Sequence, residues 1–178
     1  MTDRGDLAKE YFLKGYNCSQ AVLLAFSDMT GLDEKTAMRL ASSFGGGMGR
    51  MREVCGTVSG MLMVLGLLYG YDATSPTAQA DKTAHYARVQ ELAARFREQN
   101  GSIVCREILA GHAKAHMEAS GTDAQTEAML SDSPVPTPRS EEYYRKRPCP
   151  ELAAFAARLL DNYLRELESR IPNGIILN

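Results

Sequence analysis

The sequence predicts an all-α protein: a single-domain helical bundle around a buried central helix at about residues 55–69. Three observations carry that reading. The 178 residues hold 22 Ala and 19 Leu against 12 Ile plus Val; Ala and Leu are strong helix formers, whereas sheets favour β-branched side chains. No Pro occurs before Pro76. No stretch keeps the period-two alternation of a half-buried strand.

Each element follows from local signals. The first helix covers about Asp6 to Lys14 and is interrupted at Gly15. Asn17 caps a second helix with Cys18, Ala21, Val22, Ala25 and Phe26 on one stripe, ended by Gly31. Asp33 caps the next, which turns Ala37, Leu40, Ala41 and Phe44 inward. Gly45 to Gly49 is a loop, because a helix would carry four glycines there at high cost. The central helix, from Cys55 to Tyr69, is apolar nearly all round, and Gly56, Gly60 and Gly66 let neighbours approach it. Ser75-Pro76 starts a long amphipathic helix with Ala84, Ala87, Leu92 and Phe96 as contacts, stopped at Asn100-Gly101. Ser102 caps a short helix ending near Gly111. Residues 112–148 are an elaboration, helical over His112 to Ala119 and extended and exposed over Ser131 to Pro138. After Cys149-Pro150 the last helix presents Leu152, Phe155, Ala156, Leu159, Leu160 and Tyr163 on one face.

Composition excludes several classes. With 20 basic against 22 acidic residues the chain lacks the basic excess of a nucleic-acid binder. The longest apolar run, Val58 to Leu68, falls short of the roughly 20 residues needed to span a bilayer. The N-terminal residues lack the basic-then-apolar pattern of a signal peptide, so the expected compartment is cytoplasmic, where thiols stay reduced. Four Cys are too few for a disulfide scaffold of this size, and a core this large folds without metal or disulfides. The cysteines are therefore free to serve chemistry.

Their spacings of 37, 50 and 44 residues contain no C-x-x-C, so the local zinc and thioredoxin signatures are absent. Position says more. Cys18 follows the cap Asn17, Cys55 opens the central helix, Cys105 lies just beyond the cap Ser102, and Cys149 precedes Pro150 as a cap. All four fall in the first turn of a helix, where unpaired N–H groups and the dipole favour negative charge and lower a thiol's pKa. Four helix starts converging on one spot suit thiolates or a metal–thiolate centre. The bland alternative is four small buried hydrophobes, the usual fate of a free Cys taken singly.

These residues resemble a known family. Tyr16-Asn17-Cys18-Ser19-Gln20-Ala21, the glycine loop, Cys55-Gly56-Thr57-Val58-Ser59-Gly60, the helix ending Leu67-Leu68-Tyr69-Gly70, then Cys105 and Cys149 are similar to the C_GCAxxG_C_C family, described as putative redox-active proteins. That family is defined by four cysteines in this order, the second inside a Cys-Gly-Ala-x-x-Gly motif. Thr57 stands where the family has Ala, and the stretch from Cys105 to Cys149 is longer than the family's usual. The resemblance implies redox activity and supplies no substrate.

Other motifs carry less. The glycine loop lacks the Lys-Ser/Thr of a phosphate loop and follows no strand. Its expected role is to let backbone pass close to Cys55, with Gly47, Gly49 and Gly56 as the candidate cofactor-binding glycines. Arg50 and Arg52 precede Cys55 and are candidates to lower its pKa. His112 and His116 would share a helix face, but no zincin pattern follows and a solvated face is expected. His85 reads as a partly buried neighbour of tyrosine.

The function expected is redox chemistry at one site formed by Cys18, Cys55, Cys105 and Cys149, which are the candidate catalytic residues and equally the candidate metal ligands. Either thiol pairs cycle between dithiol and disulfide with Cys55 as nucleophile, or all four thiolates hold an iron–sulfur cluster for electron transfer. Structural zinc in a non-enzymatic module ranks below both. A redox partner of unspecified kind is implied, and the apolar stripes are wide enough for a helical homodimer.

Overall fold

The computed structural model describes residues 3–120 and 129–170, with side chains for all of these except 116–120. The fold is all-α. In chain order the helices are α1 (Arg4–Leu13), α2 (Cys18–Leu24), α3 (Ser27–Thr30), α4 (Glu34–Ala41), α5 (Gly56–Tyr69), α6 (Ala78–Asn100), α7 (Cys105–Ser120), α8 (Glu141–Arg145) and α9 (Cys149–Arg170). A 3₁₀ turn at Ser42–Phe44 and the glycine turn Gly45–Met48 lie between α4 and α5. No helix among the described residues is long and apolar enough to cross a membrane.

Caps set several helix starts. Asp3 accepts from the Asp6 amide at α1, and Asp33 accepts from the Thr36 amide at α4. Asn17 forms a reciprocal capping box with Gln20 at α2. The left-handed Gly31 ends α3, and the left-handed Gly101 ends α6.

The core lies where α1, α2, α5, α6 and α9 meet. Phe12, Phe26, Phe96 and Tyr163 are essentially fully buried there with Leu23, Met61, Leu65, Leu92 and Leu160. Each such side chain contributes about 1.5–3 kcal/mol of burial. Helices α2 and α5 pack closely: a Cβ on Gly60 would sit 2.7 Å from the Ser19 carbonyl oxygen, so only glycine allows this spacing. The pair has functional weight, because it fixes the start of α2 beside the start of α5.

Several expectations need correction. Leu40 is 47% exposed, because the inward face of α4 runs through Ala37, Met38 and Ala41 instead. Gly66 meets no neighbouring helix; a Cβ there would find open space. Leu67 is likewise exposed, so the central helix is covered on most sides but not all. Helix α6 starts at Ala78, two residues later than the Ser75-Pro76 signal, and Ala84 and Ala87 are exposed. At about 1.5 Å per residue α6 is far longer than α5, so its first turns project beyond the helix it packs on. Helix α7 does not end near Gly111 but continues to Ser120. His85 behaves as expected, with its Nδ1 3.1 Å from the Tyr69 carbonyl and its ring near Tyr71 and Tyr86. The His116 side chain and residues 121–128 of the elaboration lie outside the described residues.

Candidate functional site

The local chain around each cysteine is tied down before the cysteines meet. At α2, the Asn17 side chain accepts from the Ser19 and Gln20 amides at 3.0 and 2.9 Å, and its Nδ2 donates to the Ser42 carbonyl. The buried Ser19 hydroxyl donates to the Ala41 carbonyl at 2.7 Å. The polar residues flanking Cys18 thus hold its helix start against the end of α4.

Cys55 caps α5 with its backbone, and Cys105 and Cys149 are the first residues of α7 and α9. Every cysteine does sit at a helix start, with small shifts. Helix α9 begins at Cys149 itself, one residue before the position expected from Pro150. A short antiparallel bridge, Val54 with Val104, brings two of these starts together: Cys55 N–H donates to Ile103 at 2.8 Å and Cys105 N–H donates to Glu53 at 2.6 Å.

The glycine turn supplies the close approaches. Gly46, Gly47 and Gly49 are left-handed, and so are Met48, Arg50 and Arg52. Left-handed non-glycine residues cost on the order of 1–3 kcal/mol each and gather at functional sites. A Cβ on Gly47 would lie 2.7 Å from the Cys105 Cβ, and one on Gly56 would lie 2.9 Å from the Cys18 Cβ. The turn therefore packs under Cys105, not alongside Cys55 as expected. Gly49 and Gly56 line the cavity described next, whereas Gly47 forms its support.

Cys18, Cys55, Cys105 and Cys149 line one cavity of about 280 Å³. Cys55 and Cys105 are 5% and 8% exposed, while Cys18 and Cys149 are half-buried. The thiols differ sharply in acidity. A hydrogen bond from Cys149 brings Cys18 down to about 6; burial opposes this, and the Gly46 amide and the Arg139 charge assist it. The same hydrogen bond, then burial, holds Cys149 well above the usual thiol range. Burial, followed by the charge of Cys18, pushes Cys55 up to about 12, against a 3.2 Å contact with the Thr57 hydroxyl. Burial also raises Cys105, against the neighbouring Arg52 guanidinium. These directions reverse the expected order, in which Cys55 would be the most acidic thiol. Arg52 sits beside Cys105, so the short sequence distance from Arg50 and Arg52 to Cys55 misled.

Sequence reasoning missed much of the cavity wall. Arg139 donates to the Phe12 and Tyr16 carbonyls at 2.8 and 2.9 Å and lies 4.4 Å over the Phe12 ring. Arg147 lies over the Tyr143 ring at 4.6 Å and is 8% exposed. The segment Ser131 to Pro138 is extended and largely exposed as expected, with Val135 70% exposed, but it also crosses the site: Arg52 Nε donates to Ser131 at 3.0 Å and Arg50 Nε to Ser133 at 2.6 Å, while Pro134 and Pro136 line the cavity. One signal could have found this wall. Arg139, Arg145, Lys146 and Arg147 precede Cys149 as Arg50 and Arg52 precede Cys55, so two of the cysteines follow a basic stretch.

No three His, Cys, Asp or Glu side chains among the described residues are grouped to hold one metal ion, so as arranged the four thiols do not fit a single zinc ion. No curated protein and no solved structure matches the chain. A family model described as "Putative redox-active protein (C_GCAxxG_C_C)" matches residues 16–163, a span containing all four thiols and the Arg-lined wall. The chain belongs to that family.

Proposed function

We propose that this protein is an oxidoreductase working by dithiol/disulfide exchange, with Cys18 as the attacking thiolate and Cys149 as the resolving thiol. The carrying observation is that Cys18 and Cys149 stand at the starts of α2 and α9 on the wall of one cavity, where their interaction lowers the Cys18 thiol to about 6 and raises that of Cys149. A thiolate is the nucleophile in exchange, and the best attacking thiol has a pKa near ambient pH.

The Cys18 thiolate attacks a substrate disulfide R–S–S–R, forming a Cys18–S–S–R mixed disulfide and releasing RS⁻. Cys149 gives its proton to the departing thiolate and attacks the Cys18 sulfur. A Cys18–Cys149 disulfide forms and the second RS⁻ leaves. Two electrons pass from the protein dithiol to the substrate. Cys55 and Cys105 stay protonated through this sequence and form the deeper wall of the cavity.

The iron–sulfur reading uses the same four thiols as ligands, and their sharing of one cavity supports it. The coupling of Cys18 to Cys149 supports the dithiol reading more directly.

Reduced protein mixed with a small disulfide tests the proposal. Cys18→Ser is expected to abolish exchange, Cys149→Ser to accumulate the mixed disulfide seen by intact mass, and Cys55→Ser to retain exchange. Unchanged exchange in Cys18→Ser overturns the assignment. Stoichiometric iron and sulfide with absorbance near 400 nm in anaerobically prepared protein replaces it with electron transfer.

A further inference from the structure

The cavity wall holds four guanidiniums, Arg50, Arg52, Arg139 and Arg147, and no Asp or Glu among the described residues. Buried arginines ordinarily meet carboxylates. Here the described hydrogen bonds of Arg50, Arg52 and Arg139 go to carbonyl and hydroxyl oxygens, and Arg139 and Arg147 lie against aromatic faces. Arg52 is 4% exposed, yet its Nη2 has no hydrogen-bond partner. Leaving a buried charged donor unmet costs more than a neutral one, and this guanidinium lines the cavity beside Cys105 with hydrogen-bonding capacity left over. Arg50 feels the repulsion of Arg52 and Arg147, which puts three like charges in mutual range. A single Cys18 thiolate cannot offset four cations.

We infer that the cavity takes a small disulfide bearing carboxylates, seated with a carboxylate on Arg52 and Arg147 and its sulfur–sulfur bond toward Cys18. This rests on the dithiol reading and adds the substrate's charge class to it. Guanidinium recognises carboxylate through paired N–H donors. The cavity volume, about 280 Å³, lies at the small end of ligand pockets and suits an aliphatic molecule better than a protein loop. The exchange balances as written above, with the carboxylates unchanged and two thiols released.

A matched series tests it on the wild-type protein. The dianion 3,3′-dithiodipropionate, the neutral bis(2-hydroxyethyl) disulfide and the dication cystamine are each reduced by the protein, and each rate is divided by that disulfide's rate with dithiothreitol. The expected normalised order is anion, neutral, cation, with about tenfold per step, as one charge-assisted contact can supply. The preference shrinks with added salt and by about tenfold in Arg147→Gln. Suberate, the non-reducible isostere of the dianion, is expected to bind wild type by calorimetry and to bind Arg50→Gln and Arg147→Gln more weakly. Equal normalised rates, or no suberate binding, overturn the inference and leave exchange itself standing. Reduction of none of the three disulfides overturns the dithiol reading instead, and suberate binding then still reports on the anion site by itself.

Discussion

Cys18 and Cys149 meet on the wall of one cavity, and the interaction of their thiols is the largest cause both of the fall in the Cys18 pKa to about 6 and of the rise in that of Cys149. The two residues are 131 positions apart in sequence and meet because α2 and α9 both begin at the same cavity. One interaction thereby sets two chemically identical side chains apart in acidity.

The first prediction concerns pH. The folded pKa of Cys18 is below its unfolded value of about 8.5, so its contribution to stability is present above the unfolded value and is lost as pH falls toward 6. Cys55 and Cys149 are raised, so their contribution is lost as pH climbs past the unfolded value. Melting temperature of the reduced protein is expected to rise from pH 6 to about 8.5 and fall beyond it, and Cys18→Ser should remove the rising limb. Alkylation of Cys18 should show a midpoint near pH 6.

Asn17→Ala tests the cap. It removes two amide hydrogen bonds and the link to the Ser42 carbonyl, at an expected cost of about 1–2 kcal/mol in urea unfolding. Looser positioning of the α2 start should also raise the Cys18 alkylation midpoint. An unchanged midpoint would separate the cap from the thiol.

Two glycines of the same turn should respond differently to alanine. At Gly47 the left-handed backbone and a 2.7 Å clash with the Cys105 Cβ act together, and a loss of about 2–4 kcal/mol is expected. At Gly49 only the backbone objects, since the nearest atom is 3.8 Å away; about 1 kcal/mol is expected. Equal losses in denaturant melts would contradict the packing role of Gly47.

A similar contrast holds along α5. Gly60→Ala drives a methyl to 2.7 Å from the Ser19 carbonyl and should cost about 1–3 kcal/mol. Gly66→Ala enters open space inside a helix and should stabilise by roughly 0.5–1 kcal/mol. Thermal melts of the two variants check both signs.

Thr57→Ala restores the residue common in the resembled motif and removes the 3.2 Å contact to the Cys55 sulfur. Because that contact lowers the Cys55 pKa, alkylation of Cys55 should slow in the variant. The stability loss should stay within about 1–2 kcal/mol. Faster alkylation would show that the hydroxyl shields the sulfur rather than tuning it.

The sequence by itself determined the all-α fold, the caps at Asn17 and Asp33, the stop at Gly101 and the placement of each cysteine at a helix start. Those features arise from neighbours a few residues apart, and residue type at that range selects backbone conformation directly. Tertiary structure decided which thiol is acidic, which glycine supports which cysteine, and that Ser131 to Pro138 lies across the cavity. A thiol's acidity depends on burial and on the hydrogen-bonding and charged groups within a few ångströms, and here those groups are Cys149, Arg139 and Arg52, which only the packed fold brings to Cys18 and Cys105.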